Sequence, residues 1–471
     1  KGSVAAPGMA ILRFAAPRTI RAATVFINDA KTTFSEPELS PVIEAEVDGI
    51  WHKLADVPLG IVPTTVAWAP ARTSAVRLVF VRTVAAAPRP ASIGAPGAEV
   101  INIFPKPAEG PTVRLGTLAV SDAPRIHRAE TKAGFDIALD YYALEAPASP
   151  GVDPKSVIDL TTRLRTDGTL DWTPPAGRWR VLRFGSTLLG KTNHPATPEA
   201  TGLEVDKYDA AAVRRYLETY LAQYRDAAGA GAIGKSLGAL LTDSIEVGAS
   251  NWTPGMVAAF KRLRGYDPTP WLPTLTGAVI GSAAKSDAFL YDYRQTLADL
   301  VADAHYGTLA AVAHEHGLKV YGEALEDKRP VLGDDMAMRA HTDIPMAAMW
   351  TYGAEGPRAT LIGDDRGAAS VAHIYGQNLV AAESLTAAFW PWAFAPADLR
   401  PMIDLEFANG INRPVIHTSV HQPLDRAPGL SLAMIGQYFT RHETWAEMAK
   451  PWVDYIARTS FLLQQGRNVA D

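Results

Sequence analysis

The sequence contains no cysteine among its 471 residues. A disulfide framework, a thiolate zinc site and a cysteine nucleophile are therefore excluded. An excess of charge of one sign is also missing, because 45 basic and 50 acidic side chains give a formal net charge of −5. This balance provides no electrostatic case for binding nucleic acid or an anionic membrane. No apolar run approaches the roughly 18 residues of a membrane-spanning helix, so we expect no membrane span.

Size and composition are typical of a folded protein with more than one domain. The apolar fraction is 47% and the charged fraction 20%, and the length suggests two or three domains unless one is a large α/β barrel. The chain begins at Lys1 without a targeting segment and stops directly after a helical stretch. We therefore expect it to be part of a longer protein. The compartment stays open, since a periplasmic, secreted or cytoplasmic location all suit a cysteine-free chain.

Short alternating apolar and polar runs dominate the first 112 residues. The runs at 19–29, 42–55 and 74–83 predict strands between turns, and the many prolines of residues 88–113 predict loops or a linker. We expect residues 1–112 to form a β-sandwich-like accessory domain with a proline-rich linker. Residues 113–178 are predicted to be a second β-rich segment.

From residue 179 onward, strand-like runs alternate with helical patterns. The strand-like runs are "WRVLRFG", "LGALLTD", "LKVYGEA", "TDIPMAAMW", "LVAAES" and "RPVIHTSVHQP". Six such repeats predict a TIM-like (β/α) barrel over residues 179–471, and the sequence stops where a further strand is expected. A doubly wound open sheet is the competing architecture. It usually carries a glycine-rich phosphate loop after a strand, and the sequence has none.

Acidic side chains, histidines and aromatic residues follow the ends of these apolar runs. In (β/α) barrels the functional site lies at the carboxyl ends of the strands, so such residues are its candidates. Carboxylates among aromatic rings suit sugars, and hydrolysis of a glycosidic bond needs two carboxyl groups. The candidates are Asp243, Glu246, Trp252, Glu323, Asp343, Trp350, Glu383, Trp390, His417 and His421.

Each candidate also has a purely structural interpretation. Glu246 could favour the positive end of a helix dipole, and Asp243 could cap the turn after its strand. Glu323 could form a buried ion pair with Lys319, and Asp343 could cap a turn. The tryptophans individually fit core packing, and a single histidine is usually structural. His417 and His421 are four apart, so they would share one face if both lie on a strand.

Several long motifs carry a family resemblance. They include "GTLDWTPPAGRWRVLRFGSTLLGKTNHPATPEATGLEVDK", "LLTDSIEVGASNWTPGMVAAFKRLRGYDPTPWLPTLTG", "VAAESLTA", "FANGINRPVIHTSVHQP" and "TWAEMAKPWVDYIARTSFLLQQGRNVAD". Together they resemble family 106 of the glycoside hydrolases, the α-L-rhamnosidases, over roughly residues 115–471. The resemblance implies a (β/α) barrel with appended β-domains. It also implies hydrolysis of terminal α-L-rhamnosyl units with inversion, and calcium that helps to hold the sugar.

The resemblance also implies roles for individual residues. Glu246 in "DSIE" corresponds to the general acid, and Glu383 in "AAES" corresponds to the general base. The other candidates would form the substrate-binding shell, with Glu323 and Asp343 as candidate metal ligands. One departure lies after "DIPM", where family members often carry a glutamate and this chain has two alanines. No metal site is indicated by residue spacing alone.

Other functions stay open alongside the α-L-rhamnosidase prediction. One is a glycosidase that uses the same two acids on another deoxy-sugar or a hexose. Another is a catalytically inactive relative that only binds carbohydrate, and a weaker one is a structural β/α scaffold. The expected partner in the favoured reading is a rhamnose-containing oligosaccharide or glycoside.

Overall fold

Two β-sheets organise the protein. The computed structural model describes residues 2–3, 8–28, 39–82, 112–137, 141, 144–145, 147–193, 196–229, 231–325, 332–387, 392–423, 425–427, 429, 435 and 439–469. Within these residues, a six-stranded antiparallel sheet precedes a five-stranded parallel sheet with helices. No helix in this part of the chain is long and apolar enough to cross a membrane.

The antiparallel sheet has the strand order β1-β6-β2-β5-β3-β4. Its strands are β1 (Gly2–Ser3), β2 (Ala10–Asn28), β3 (Leu39–Val47), β4 (Ile50–Asp56), β5 (Thr64–Arg82) and β6 (Thr112–Ser121). The runs predicted as strands at 19–29 and 74–83 lie in β2 and β5, whereas the run at 42–55 forms parts of two strands, β3 and β4, with a turn between them. Asp48 and Gly49 join β3 to β4 with positive φ angles of 51° and 78°, as the tight turn of a two-residue hairpin requires.

The expected β-sandwich is not confirmed, because the described strands of this region form one sheet. β6 begins at Thr112 and pairs with β2, so the strand at the start of the predicted second β-rich segment belongs to the same sheet. The predicted strand at 179–185 is an extended and exposed stretch without strand pairing in the described residues. Its apolar residues Trp179, Val181, Leu182 and Phe184 suggested a strand, but no described strand pairs with it. The proposed domain boundaries stay a prediction.

The parallel sheet has the order β7-β8-β9-β10-β11, which is the order of the chain. Its strands are β7 (Ala239–Thr242), β8 (Lys319–Gly322), β9 (Ile344–Trp350), β10 (Ala381–Thr386) and β11 (Arg413–Ile416). The helices are α1 (Ala129–Lys132), α2 (Ala210–Ala228), α3 (Met256–Arg264), α4 (Ala283–Leu300), α5 (Thr308–Glu315), α6 (Asp335–Ala340), α7 (Ala359–Tyr375), α8 (Pro396–Ala408) and α9 (Lys450–Leu463). A π-helical turn, Val301–Gly307, joins α4 to α5.

This sequential strand order distinguishes between the two predicted architectures. A doubly wound sheet reverses its strand order at a switch point, whereas a (β/α) barrel adds each new strand beside the last. The five strands follow the second rule and form a curled half-barrel. A closed barrel is not confirmed, because β7 and β11 are the outer strands of the described sheet. A groove of about 590 Å³ lies between them and is lined by residues that include Leu241, Tyr321, Ile416 and Val453.

A buried ion cluster fastens β9 to the helices behind it. Arg339 of α6 is fully buried and forms ion pairs with Asp335 and Asp364. Its Nε also donates to the carbonyl oxygen of Met346 at 2.9 Å, and Asp364 of α7 accepts from the Ala348 amide at 2.8 Å. These contacts hold β9 at a fixed position relative to the neighbouring strands.

Candidate functional site

Three carboxylates meet at the carboxyl ends of the parallel strands. Asp243 follows β7, Glu323 follows β8, and Glu383 lies in β10. One oxygen atom of each lies within 4.8 Å of the others. Because parallel strands end at the same edge of a sheet, side chains far apart in sequence converge there. The sequence analysis named all three, and the structure brings them together.

Glu323 is the most enclosed of the three carboxyl groups, with 4% of its surface exposed. Burial raises its pKa well above the usual range, and the negative charges of Asp243 and Glu383 raise it further. Its side chain also lies close enough to that of Asp243 for a hydrogen bond between the two carboxyl groups. Two carboxyl groups can form such a bond only when a proton lies between them. The cluster therefore needs either a proton or a cation.

Glu383 is oriented by two neighbouring side chains. The Thr386 hydroxyl donates to Glu383 Oε1, and His417 Nδ1 lies 3.1 Å from that hydroxyl oxygen and 3.6 Å from Oε1. Burial lowers the pKa of His417, so its imidazole is neutral at pH 7. Since the Thr386 hydroxyl has a single hydrogen, Nδ1 must be the donor toward it. This chain of hydrogen bonds fixes the carboxylate without neutralising its charge.

A β-bulge in β10 makes this contact geometrically feasible. Residues three apart in a regular strand point to opposite faces, which would separate Thr386 from Glu383. The register of β10 against β9 shifts between Ser384 and Thr386, and Leu385 has a φ of 66°. This φ is in the left-handed region and is strained for a leucine. The extra residue brings Thr386 to the face of Glu383, and the Thr351 amide donates to the Thr386 carbonyl at 2.8 Å.

Glu246 lies in the loop after β7 and is not one of the three clustered carboxylates. The preceding residue, Ile245, is 3% exposed, and its amide donates to the carbonyl oxygen of Ala324 at 3.3 Å. This bond fixes the loop against the residue that follows Glu323. The Glu246 side chain itself is exposed to solvent at this edge of the sheet.

The structure places Asp343 away from the cluster, which corrects the prediction that it follows a strand. Asp343 directly precedes β9, and its Oδ2 accepts from the Val320 amide at 2.8 Å near the start of β8. The same oxygen lies 2.9 Å from Nε2 of His314. These are contacts at the amino ends of the strands. The alternative structural role therefore fits Asp343 better than metal or sugar binding.

We expect Asp343→Ala to lower the free energy of unfolding by about 1–3 kcal/mol, because the Val320 amide would lose its partner. Urea unfolding of the wild-type and variant chains would measure the difference. Asp343→Asn keeps an acceptor oxygen and should recover part of the loss. Unchanged stability together with weaker sugar binding would instead place Asp343 in the functional site.

The two histidines do not share a strand face. β11 ends at Ile416, and the amide of His417 donates to the Ser384 carbonyl at 3.0 Å just beyond that end. His421 is exposed in the following loop. The long apolar run suggested a longer strand than the one that forms. Only His417 is linked to Glu383.

The three candidate tryptophans have different surroundings. Trp252 is partly buried and packs against the core cluster that includes Ile245, so core packing accounts for it. Trp350 ends β9 on the side of the carboxylate cluster, and the Arg358 guanidinium lies 5.1 Å from the centre of its ring. Trp390 lies outside the described residues. Of the candidate tryptophans that the structure describes, Trp350 is thus the one that lies at the end of a strand on the side of the carboxylate cluster.

Comparison with known proteins decides the family. The sequence model of the α-L-rhamnosidases, glycoside hydrolase family 106, matches residues 20–471. This chain belongs to glycoside hydrolase family 106. The predicted resemblance is confirmed, and the match extends from residue 115 back into the antiparallel sheet. That sheet is therefore part of what family 106 members share.

Two relatives illustrate the position of this family 106 chain. It is 53% identical to a rhamnosidase from Novosphingobium sp. PP1Y whose structure has been solved, and the two structures superpose with a TM-score of 0.87. That match covers 100% of this chain and 42% of the rhamnosidase. It is also 39% identical over 327 residues to a protein of Formosa agariphila described as a putative beta-glucuronidase. That alignment covers 69% of this chain and 27% of the relative. The chain thus spans less than half the length of either.

The sequence analysis missed Thr386 and the bulge that positions it. The segment "AAESLT" shows two hydroxyl residues after Glu383, which is the available signal. The strand period would have placed Thr386 on the opposite face. A leucine with a left-handed backbone conformation leaves no recognisable pattern in the sequence, so only the structure reveals it.

Proposed function

We propose that this chain supplies the catalytic region of a glycosidase that removes terminal α-L-rhamnosyl residues with inversion. The observation that carries the proposal is the convergence of Asp243, Glu323 and Glu383 in a chain of family 106. Glycoside hydrolysis with inversion uses one carboxyl group as acid and one carboxylate as base. The substrate would be a rhamnose-containing oligosaccharide or glycoside.

Glu383 and Glu246 are proposed as the base and the acid. Glu383 would take a proton from the attacking water, while Thr386 and His417 hold its carboxylate in place. Glu246, exposed in the loop after β7, would protonate the departing glycosidic oxygen. Inverting enzymes separate these two carboxyl groups by about 6.5–9.5 Å, so that a water fits between the base and the sugar.

We propose Asp243 and Glu323 as ligands for calcium. Carboxylate oxygens are the donors that this hard cation prefers, and a divalent charge would offset the repulsion that raises the pKa of Glu323. The donor set therefore fits. When bound, the ion would supply positive charge that orients the hydroxyl groups of the sugar. Asp343 is not part of this set, and Glu383 keeps its role as base.

Calcium added to the chelated chain is expected to raise its unfolding temperature, with a stabilisation of about 2.7 kcal/mol at 100 times the dissociation constant. Glu323→Gln should abolish most of this response, because it removes a charged ligand. Asp343→Asn is the matched control and should respond like the wild type. If calcium does not change the unfolding temperature of the wild-type chain, a proton rather than a cation balances the negative charge of the cluster.

A panel of chromogenic glycosides tests the function of the full-length protein. We expect p-nitrophenyl α-L-rhamnoside to be hydrolysed, and nuclear magnetic resonance should show the β-anomer of rhamnose as the first product. Appearance of the α-anomer first would contradict inversion. Rhamnose binding without turnover of any glycoside would instead favour the inactive carbohydrate-binding relative.

A second candidate is a glycosidase for a different sugar, which the Formosa agariphila relative's description as a putative beta-glucuronidase favours. A glucuronide carries a carboxylate, and the cluster of three acids keeps a net negative charge whether one proton or one calcium ion balances it, which disfavours that substrate. Rhamnose is a neutral deoxy-sugar and meets no such repulsion. Relative rates on p-nitrophenyl β-glucuronide and α-L-rhamnoside separate the two candidates directly.

A further inference from the structure

Two acidic side chains are buried on the opposite face of β10 from Glu383. Glu406 of α8 and Asp365 of α7 each expose 0% of their surface. Both oxygens of Asp365 and Oε1 of Glu406 are buried without a hydrogen-bond partner. The remaining oxygen, Oε2 of Glu406, lies 2.6 Å from the hydroxyl of Ser384. Ser384 directly follows Glu383 in the strand.

Ser384 can connect Glu406 to the backbone of β10 in one complete chain of hydrogen bonds. Its hydroxyl oxygen lies 2.6 Å from Glu406 Oε2 and 3.1 Å from the carbonyl oxygen of Ala382. A hydroxyl group has a single hydrogen to donate. If Glu406 carries a proton, it donates to Ser384, and Ser384 donates to Ala382. If Glu406 is ionised, the Ser384 hydroxyl must turn to it and leave Ala382.

The surroundings favour the protonated form of Glu406. Arg339, whose positive charge acts on Asp365, already forms ion pairs with Asp335 and Asp364. A buried carboxylate without a cation and with an unpartnered oxygen is strongly disfavoured. Burial raises the pKa of Glu406 well above its usual range, and the charge of Asp365 raises it further. The Asp365 pKa is likewise raised to about 8, chiefly by burial.

Tyr352 is a further titratable neighbour of Glu406, and it is also neutral at pH 7. Burial raises the pKa of Tyr352, and the charge of Glu406 adds to the shift. Among the described residues, the groups that face Glu406 are thus Asp365 from α7, Tyr352 from the segment after β9, and Ser384 from β10. None of them supplies a positive charge.

Ser384 is also the residue on which the geometry of the site depends. It begins the bulge that contains the strained Leu385 and ends at Thr386. Its carbonyl oxygen accepts from the His417 amide at 3.0 Å. Thr386 and His417 are the two side chains that orient Glu383. A partner that holds Ser384 therefore acts on both of them at once.

We propose that Glu406 is a neutral carboxylic acid that positions the base Glu383 by holding Ser384 at the start of the strained bulge. The positioning role rests on the proposed function, whereas the protonation of Glu406 does not. Glu406 touches neither the substrate nor the reacting atoms, so it is a positioning residue.

Infrared difference spectroscopy tests the protonation directly and needs no activity. The spectrum of the wild-type full-length protein minus that of Glu406→Gln at pH 7 should contain the carbonyl stretch of one protonated carboxylic acid. Because burial also raises the pKa of Asp365 to about 8, Asp365→Asn is measured alongside, so that the carbonyl band of Asp365 is assigned separately from that of Glu406. A difference spectrum that shows only the loss of a carboxylate would overturn the proposal.

Kinetics of the full-length protein tests the positioning. Glu406→Gln keeps a donor for Ser384, so we expect kcat and KM within about threefold of the wild type and an unchanged pH profile. Glu406→Leu and Ser384→Ala remove the connection and should each lower kcat by about 10- to 100-fold, with KM retained. Leucine also fills the buried volume, so the variant should fold, as circular dichroism would confirm.

Two kinetic results would contradict the positioning role. One is wild-type kcat in both Glu406→Leu and Ser384→Ala. The other is an acidic limb of the pH profile that shifts in Glu406→Gln, since that would reveal a lost negative charge. If the wild-type protein hydrolyses no rhamnoside at all, the proposed function fails, while the infrared result still decides the state of Glu406.

Discussion

Glu383→Gln in the full-length protein is expected to lower kcat on α-L-rhamnosides by about 10²–10⁴-fold, the usual contribution of a general base. The amide cannot accept the proton of the attacking water, but it preserves the size of the side chain. Substrate binding should therefore be largely retained, with little change in KM. Steady-state kinetics with p-nitrophenyl α-L-rhamnoside measures both constants.

The same variant also separates the role of a base from that of a metal ligand. If Glu383 is the base, the calcium response of Glu383→Gln should remain close to that of the wild type. Thr386→Val is the matched control for orientation, because it leaves the carboxylate and removes the hydroxyl that bonds to it. A loss of calcium binding in Glu383→Gln together with modestly lowered turnover would assign Glu383 to the ion instead.

Glu246→Gln should show a loss of activity that depends on the leaving group. The leaving group of a natural rhamnoside would be an alkoxide unless the acid protonates it, so the turnover of such substrates should fall by about 10²–10⁴-fold. The p-nitrophenolate group departs well without protonation, so the loss with that substrate should be much smaller. Comparing the wild type and the variant on both kinds of substrate measures this difference.

The pH dependence provides a second test of Glu246. A general acid is active only in its protonated form, so its removal should flatten the basic limb of the pH–rate profile. Ile245→Val, beside it in the loop, is a control that leaves the carboxyl group in place. An equal loss of activity with good and poor leaving groups would contradict the role of acid.

Much of the fold follows from patterns in the sequence. In α2, Val213, Leu217 and Leu221 recur at helical spacing, and all three are buried. The "DG" pair at Asp48 and Gly49 is typical of the hairpin turn that joins β3 to β4. The strand predicted at 179–185 was wrong, since an apolar run alone cannot reveal whether a partner strand is present. A pattern of this kind describes a surface, whereas a sheet also requires a neighbour.

The direction of the chain decided which site residues could be predicted. Glu323 follows its strand closely, and the sequence analysis placed it correctly at the carboxyl end. Asp343 borders an equally apolar run but precedes it, so it lies at the other end. The order of the residues already shows this, because an acid that precedes an apolar run lies at the amino end of the strand, whereas the site lies at the carboxyl end.

Glu406 and Asp365 were missed although each leaves a signal in its helix. Glu406 completes a stripe with Leu399, Met402 and Ile403, all of which are buried at helical spacing. Asp365 occupies a similar position among the buried residues of α7. An acid in the middle of an apolar stripe is a candidate for a neutral buried carboxyl group. Neither residue lies near the end of a strand, and the site candidates were taken from strand ends.

The two outer strands of the half-barrel differ in how readily a strand of another molecule could pair with them. An exposed edge offers free backbone groups to any extended segment, which is how edge-to-edge aggregation begins. In β11 the amides of Arg413 and His417 point toward β10, so the alternating Pro414 faces outward, where it has no N–H to offer. β7 consists of "ALLT" and has no proline or charge. Of the two outer strands of the described sheet, β7 is therefore the more vulnerable, with Leu241 51% exposed.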